Sequence, residues 1–211
     1  MKKISLLTVA LIAGFAGVSK AEISQYTSAH ISYTKAKVEG KDHDGSYDEM
    51  TNKATPALSV AYGLNFGKGL RSDVEFTYGF NAKETESYED DEGSYKDTYK
   101  TNQMSLMLNG YYDIATGTKW TPYVNLGIGM SKQTIKYKGV DLEEDEVETG
   151  KASDTTFTWQ AGLGVSYEVA NNLSVDAGYR YVDYGKPKDT AEDFEGKTKA
   201  NVLSIGARYA F

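Results

Sequence analysis

The three arginines of this 211-residue chain, Arg71, Arg180 and Arg208, lie in stretches where apolar and polar residues alternate, each on the polar parity. Asp73, Glu75, Asp113, Glu168 and Asp176 occupy the same parity. Guanidinium groups and carboxylates gathered on one face suit charge-assisted hydrogen bonding, so the chemistry expected of them is a structural ionic network. Counted from the tight turns, Arg71 and Asp113 stand at the same end of neighbouring stretches. Glu168, Asp176 and Arg208 stand low on three others. A lone buried charge costs several kcal/mol, roughly, so each member should depend on its partners.

Reactive chemistry has thinner support. The histidines are His30, which shares its parity with Ser28 and Ser32, and His43, which stands between Asp42 and Asp44. No motif marks a nucleophile, so no catalytic residue is assigned. The run at 42–49 opens like a calcium loop, D-x-D-G, but lacks the later ligand spacing and the closing glutamate. No metal or cofactor is expected, apart from weak cation binding by acidic runs.

The elements that must position these residues follow from a period of two, which means strands with two unlike faces. Leu58, Val60, Tyr62, Leu64 and Phe66 share one parity, as do Val74, Phe76, Tyr78 and Phe80. The same pattern recurs through Val124, Leu126, Ile128 and Met130, and through Leu203, Ile205, Ala207, Tyr209 and Phe211. The opposite parity is rich in glycine, serine and sparse charges of both signs. That composition makes a poor solvent coat and suits the crowded interior of a small barrel whose outer wall meets lipid. Eight such runs are expected, joined alternately by three short turns and four long polar loops, at 38–55, 82–99, 139–154 and 185–199. Each run reaches the roughly 9–11 residues that a tilted strand needs to cross a bilayer. Phe66, Tyr112, Trp120, Tyr167, Tyr209 and Phe211 are placed to form an aromatic girdle at the turn side. The expected fold is therefore all-β, an eight-stranded antiparallel up-and-down transmembrane β-barrel.

Residues 1–21 read as a cleavable signal peptide, with Lys2 and Lys3 before an apolar stretch and Ser19-Lys20-Ala21 at its exit. Residues 22–211 would form the barrel domain. Removing Lys2, Lys3 and Lys20 takes the formal net charge from -7 to -10, which argues against nucleic acid as a partner. The chain has no cysteine, so neither a disulfide framework nor a thiolate metal site arises.

The runs at 120–131 (WTPYVNLGIGMS) and 162–185 (GLGVSYEVANNLSVDAGYRYVDYG) and the terminal ARYAF also resemble the opacity-protein-like outer-membrane barrels, relatives of the transmembrane domain of outer-membrane protein A. The resemblance covers essentially the whole mature chain and implies an eight-stranded barrel in the outer membrane of a Gram-negative bacterium. It also implies that Leu203, Ile205, Ala207, Tyr209 and Phe211 form the C-terminal signal read by the barrel-assembly machinery. Members include adhesins, surface antigens and structural surface proteins. No peptidoglycan-binding domain follows the barrel here, so a wall-anchoring role is not expected to carry over. The function expected is non-enzymatic: surface interaction or adhesion through four acidic loops, with an extracellular or host protein as partner, and a part in envelope integrity. The lumen would be plugged by the Arg/Asp/Glu network. A narrow pore for small solutes is the first alternative reading, and a lipid-modifying barrel enzyme the second.

Overall fold

The computed structural model describes residues 23–41, 47–51, 54–90, 93–141, 147–185 and 195–211. The signal-peptide reading of residues 1–21 lies outside them, as do His43 and the D-x-D-G run at 42–45. Nine strands follow in order: β1 (Ser24–Lys41), β2 (Tyr47–Thr51), β3 (Thr55–Gly67), β4 (Leu70–Asp90), β5 (Gly93–Asp113), β6 (Trp120–Asp141), β7 (Val147–Ala170), β8 (Leu173–Asp183) and β9 (Glu195–Ala210). Neighbours in the order β2-β1-β3-β4-β5-β6-β7-β8-β9 pair antiparallel, and β1 pairs with β9 from Tyr26↔Ala210 to Lys41↔Glu195. That seam closes the sheet, so the expected eight-stranded antiparallel barrel is what the chain forms, with β2 as a ninth strand outside the ring. β2 takes the edge of β1 that β3 occupies lower down: Thr34 faces Thr55, and Lys37 faces Thr51. Closure leaves no free edge in the lipid-facing part of the ring, which a membrane-spanning sheet requires.

The burial order is inverted relative to a water-soluble barrel. Asn109, Thr158, Ser59 and Ser131 are the largest fully buried side chains, while Leu126 is 69% exposed and Leu163 61%. The apolar parity faces outward and the polar parity fills the lumen, as in a barrel whose solvent is a bilayer. Gly164 and Gly178 show how crowded the inside is. A Cβ on Gly178 would lie 2.7 Å from the Tyr123 hydroxyl, and one on Gly164 would overlap the same ring.

Two expectations fail. Phe66 is buried at 3%, so it does not join the girdle. The register shifts between Asn65 and Gly67, which breaks the alternation where the hairpin turns. There Gly67, Lys68 and Gly69 all take positive φ. The rest of the girdle is outward or half-exposed, and the Trp120 and Tyr167 rings lie 4.6 Å apart. Two of the long polar segments, 82–99 and 139–154, are also not loops over most of their length. β4 and β5 pair as far as Asp90↔Gly93, and β6 and β7 as far as Val140↔Val147. Above the bilayer both faces of a sheet are wet, so the alternation of apolarity ends while the hydrogen-bond ladder continues. Polarity alone therefore reads as loop.

Candidate functional site

The lumen brings the predicted charges together from strands far apart in sequence. On β4, Arg71 is buried at 4%, with Nε 3.0 and 2.9 Å from the two carboxylate oxygens of Asp113 on β5. Its guanidinium lies 3.8 Å from the centre of the Tyr111 ring, 5.1 Å from Tyr123 and 5.8 Å from Tyr26. A planar, weakly hydrated cation between π faces is favoured in such a dry space. From β9, Arg208 reaches Asp113 at 3.8 Å and Asp176 on β8 at 3.5 Å, and donates to Ser166 Oγ at 2.9 Å. Ser166 in turn donates to Asp176 in a short hydrogen bond. His30 Nε2 stands 3.6 Å from the same carboxylate, so its partner is structural.

Asp73 is held differently. Tyr26 donates to it at 3.0 Å and Asn109 at 2.9 Å, and Gln160 donates to Asn109 at 2.7 Å. Higher up, Ser105, Ser131 and Thr158 share hydroxyl contacts of 2.8 Å. Neutral donors thus solvate an acid that, among the described residues, faces no cation at hydrogen-bond distance.

One contact differs from all these in reach. Arg180 Nη1 on β8 donates to Glu75 Oε1 on β4 at 2.6 Å. In the ring order β1-β3-β4-β5-β6-β7-β8-β9, β4 and β8 are four strands apart in either direction. The pair therefore crosses the full diameter of the barrel. It borders two small lumen cavities. One, of about 20 Å³, is lined also by His30, Asp73, Tyr123 and Asp176. The other, of about 30 Å³, is lined also by Ser32, Thr158, Gln160 and Tyr184. Each has room for only a water or two.

Of the predicted charges, Glu168 alone stays outside this arrangement. It is exposed at the end of β7, where the register shifts between Glu168 and Ala170, and its backbone N–H bonds to Lys119. The strand has left the barrel interior before that residue. The three tyrosines were missed: Tyr26, Tyr111 and Tyr123 share the polar parity, and that parity was the available signal. An aromatic near a strand end reads more readily as lipid-facing.

The family profile described as the outer membrane protein beta-barrel domain matches residues 6–211. The chain belongs to that family. A protein of this outer-membrane barrel family lies in the outer membrane of a Gram-negative bacterium, with outer-membrane lipid around its apolar wall. Its relatives include outer membrane protein PagN of Salmonella typhimurium, 33% identical over 117 residues, or 51% of this chain and 49% of that protein. The putative adhesin RC1281 of Rickettsia conorii is 25% identical over 171 residues, 78% of this chain and 68% of the other. The chain thus spans about half the length of the first relative and about two thirds of the second. Among solved structures, Neisserial surface protein A superposes with a TM-score of 0.59 at 20% identity, over 90% of this chain and all (100%) of that one. Ail of Yersinia pestis superposes with a TM-score of 0.51 at 16% identity, over 88% and 98%. These superpositions speak to the fold.

Proposed function

We propose that this outer-membrane barrel is a non-enzymatic display scaffold, whose lumen is closed by the Arg/Asp/Glu network and whose extended hairpins engage an extracellular partner. The observation that carries this reading is the height of the paired strands. Beyond the outward pair Met130↔Phe157, β6 and β7 stay in register for ten further residues of β6, to Val140↔Val147. At about 3.4 Å per residue that is on the order of 30 Å of ordered sheet along the strand. A sheet of this length holds its tip clear of the lipid surface in a fixed orientation, which lowers the ordering cost of binding a large partner. The likeness to the putative adhesin RC1281 of Rickettsia conorii supports the same reading. The transverse Arg180–Glu75 pair supports a closed lumen over a solute pore.

Replacing residues 83–100 by a two-residue glycine turn should remove host-cell attachment while the barrel still shows its heat-dependent shift on a gel. Attachment equal to that of the full chain would sink the display reading.

Assembly supplies a second partner. Phe211 is exposed on the outer wall, and its N–H bonds to Gln25 O at 2.9 Å across the seam. Together with Leu203, Ile205, Ala207 and Tyr209 it forms the terminal pattern proposed as the barrel-assembly signal. Deleting Phe211 should lower the amount of folded barrel recovered in the outer-membrane fraction. Equal recovery of deleted and intact chains would end that proposal.

A further inference from the structure

Above the apolar belt, the register sets lysines of neighbouring strands opposite one another. Lys100 on β5 stands opposite Lys136 on β6, and Lys136 stands opposite Lys151 on β7. All three are exposed. On β4, Lys83 occupies the next position of the same row, paired with Lys100. Exposed Lys132 and Lys138 share the β6 face, and Lys132 is paired with lipid-facing Met104. The alternate register positions carry acids instead: Glu84, Glu86 and Asp97 on β4 and β5, and Glu148 on β7. A chain of formal charge -7 therefore has a basic outer wall directly above its lipid-contacting surface.

Like charges directly opposite on neighbouring strands repel one another, so a row of lysines is a poor solution unless an anion joins it. The row spans β5 to β7, about 10 Å at the usual strand spacing. Lys132 lies two residues above Met130, within about 7 Å along the strand, which is headgroup level. Lys100, Lys136 and Lys151 rise beyond it. Lysine is a point-charge binder of phosphate, suited to several anionic groups at varying positions.

We propose that this wall binds the phosphorylated headgroup of a glycolipid in the outer leaflet. The apolar belt would take the acyl chains and the lysine row the phosphates above them. A basic patch remote from the membrane would fit a soluble polyanion equally well. Continuity with the lipid-facing belt selects a lipid instead.

The test uses the full folded chain in detergent micelles, titrated with rough lipopolysaccharide, either intact or chemically dephosphorylated. Tryptophan fluorescence reads the binding, since Trp120 and Trp159 are exposed on the outer wall. Wild type should prefer the intact form by at least about tenfold. The Lys100→Glu/Lys136→Glu/Lys151→Glu variant should lose that preference, with intact-form affinity about 100-fold weaker, since each surface lysine is worth about fivefold near an anionic headgroup. A Lys132→Glu/Lys138→Glu variant provides a second reading if the triple variant does not fold. Equal affinity of wild type for the two forms overturns the proposal, as does an undiminished preference in a folded variant. So does phosphate-independent binding of lipopolysaccharide alongside tight binding of a sulfated heparin oligosaccharide, which would assign the row to a soluble glycan.

Discussion

Arg180→Ala is expected to turn a silent barrel into a conducting one. In planar bilayers the wild-type chain should give no steps, and the variant should give reproducible openings. The Arg180–Glu75 contact is the one salt bridge among the described residues that joins opposite walls by a direct 2.6 Å hydrogen bond. It stands between two cavities of about 20 and 30 Å³. Removing the guanidinium merges the space around it and leaves the Glu75 carboxylate, buried at 3%, without its cation. Breaking one side of a buried pair costs about 3–5 kcal/mol because the other charge remains. Water entering along the lumen is the cheapest way to recover part of that cost. Urea unfolding should show the loss, and adding Glu75→Gln should return much of it, since the stranded charge is then gone. Stability and conductance therefore separate: the double variant should be more stable than Arg180→Ala but still open. Steps of equal size in wild type and variant would mean that the lumen is not closed by this pair.

Arg71→Leu should cost about 3 kcal/mol, at the lower end of the range for a broken buried pair. Asp113 would lose its nearer cation but keep Arg208 at 3.8 Å, which limits the damage. The three tyrosine rings would lose the cation they surround, a further contribution of about 0.5–2 kcal/mol. Arg71→Lys should recover only part of the loss, because an ammonium cannot lie flat against Tyr111 at 3.8 Å while also reaching Asp113. Glu168→Ala is the matched control. It changes a carboxylate on the same sequence parity, but exposed, and should stay within about 0.5 kcal/mol of wild type. A Glu168 effect as large as that of Arg71 would show that parity, rather than burial in the lumen, sets the energetics.

Much of this architecture was legible from alternation alone. The runs around Leu58–Tyr62, Val124–Met130 and Leu203–Tyr209 have an apolar face next to a small, polar one. A closed barrel in lipid is the arrangement that gives both faces a suitable solvent. The inward placement of Arg71, Arg180 and Arg208 followed from the same parity, because a period of two leaves only two faces to choose from. Where the alternation is broken, the sequence is silent. Phe66 and Glu168 both stand beside register shifts, and a single extra residue moves a side chain to the opposite face.

Only the tertiary structure decided who meets whom. Parity places Arg180 and Glu75 inside, but nothing local to residue 75 or 180 says that their strands lie four positions apart on either side of the ring. That depends on closure and on the stagger between strands. The lysine row shows the same division. Lys83 and Lys151 lie in acidic segments that read as solvated loops, and Lys100 and Lys136 stand just outside such segments. They fall into one line only because the β4–β5, β5–β6 and β6–β7 registers set them directly opposite each other. A chain determines the faces of its strands residue by residue. The partners across a barrel are determined by the hydrogen-bond register, which is a property of all the strands together.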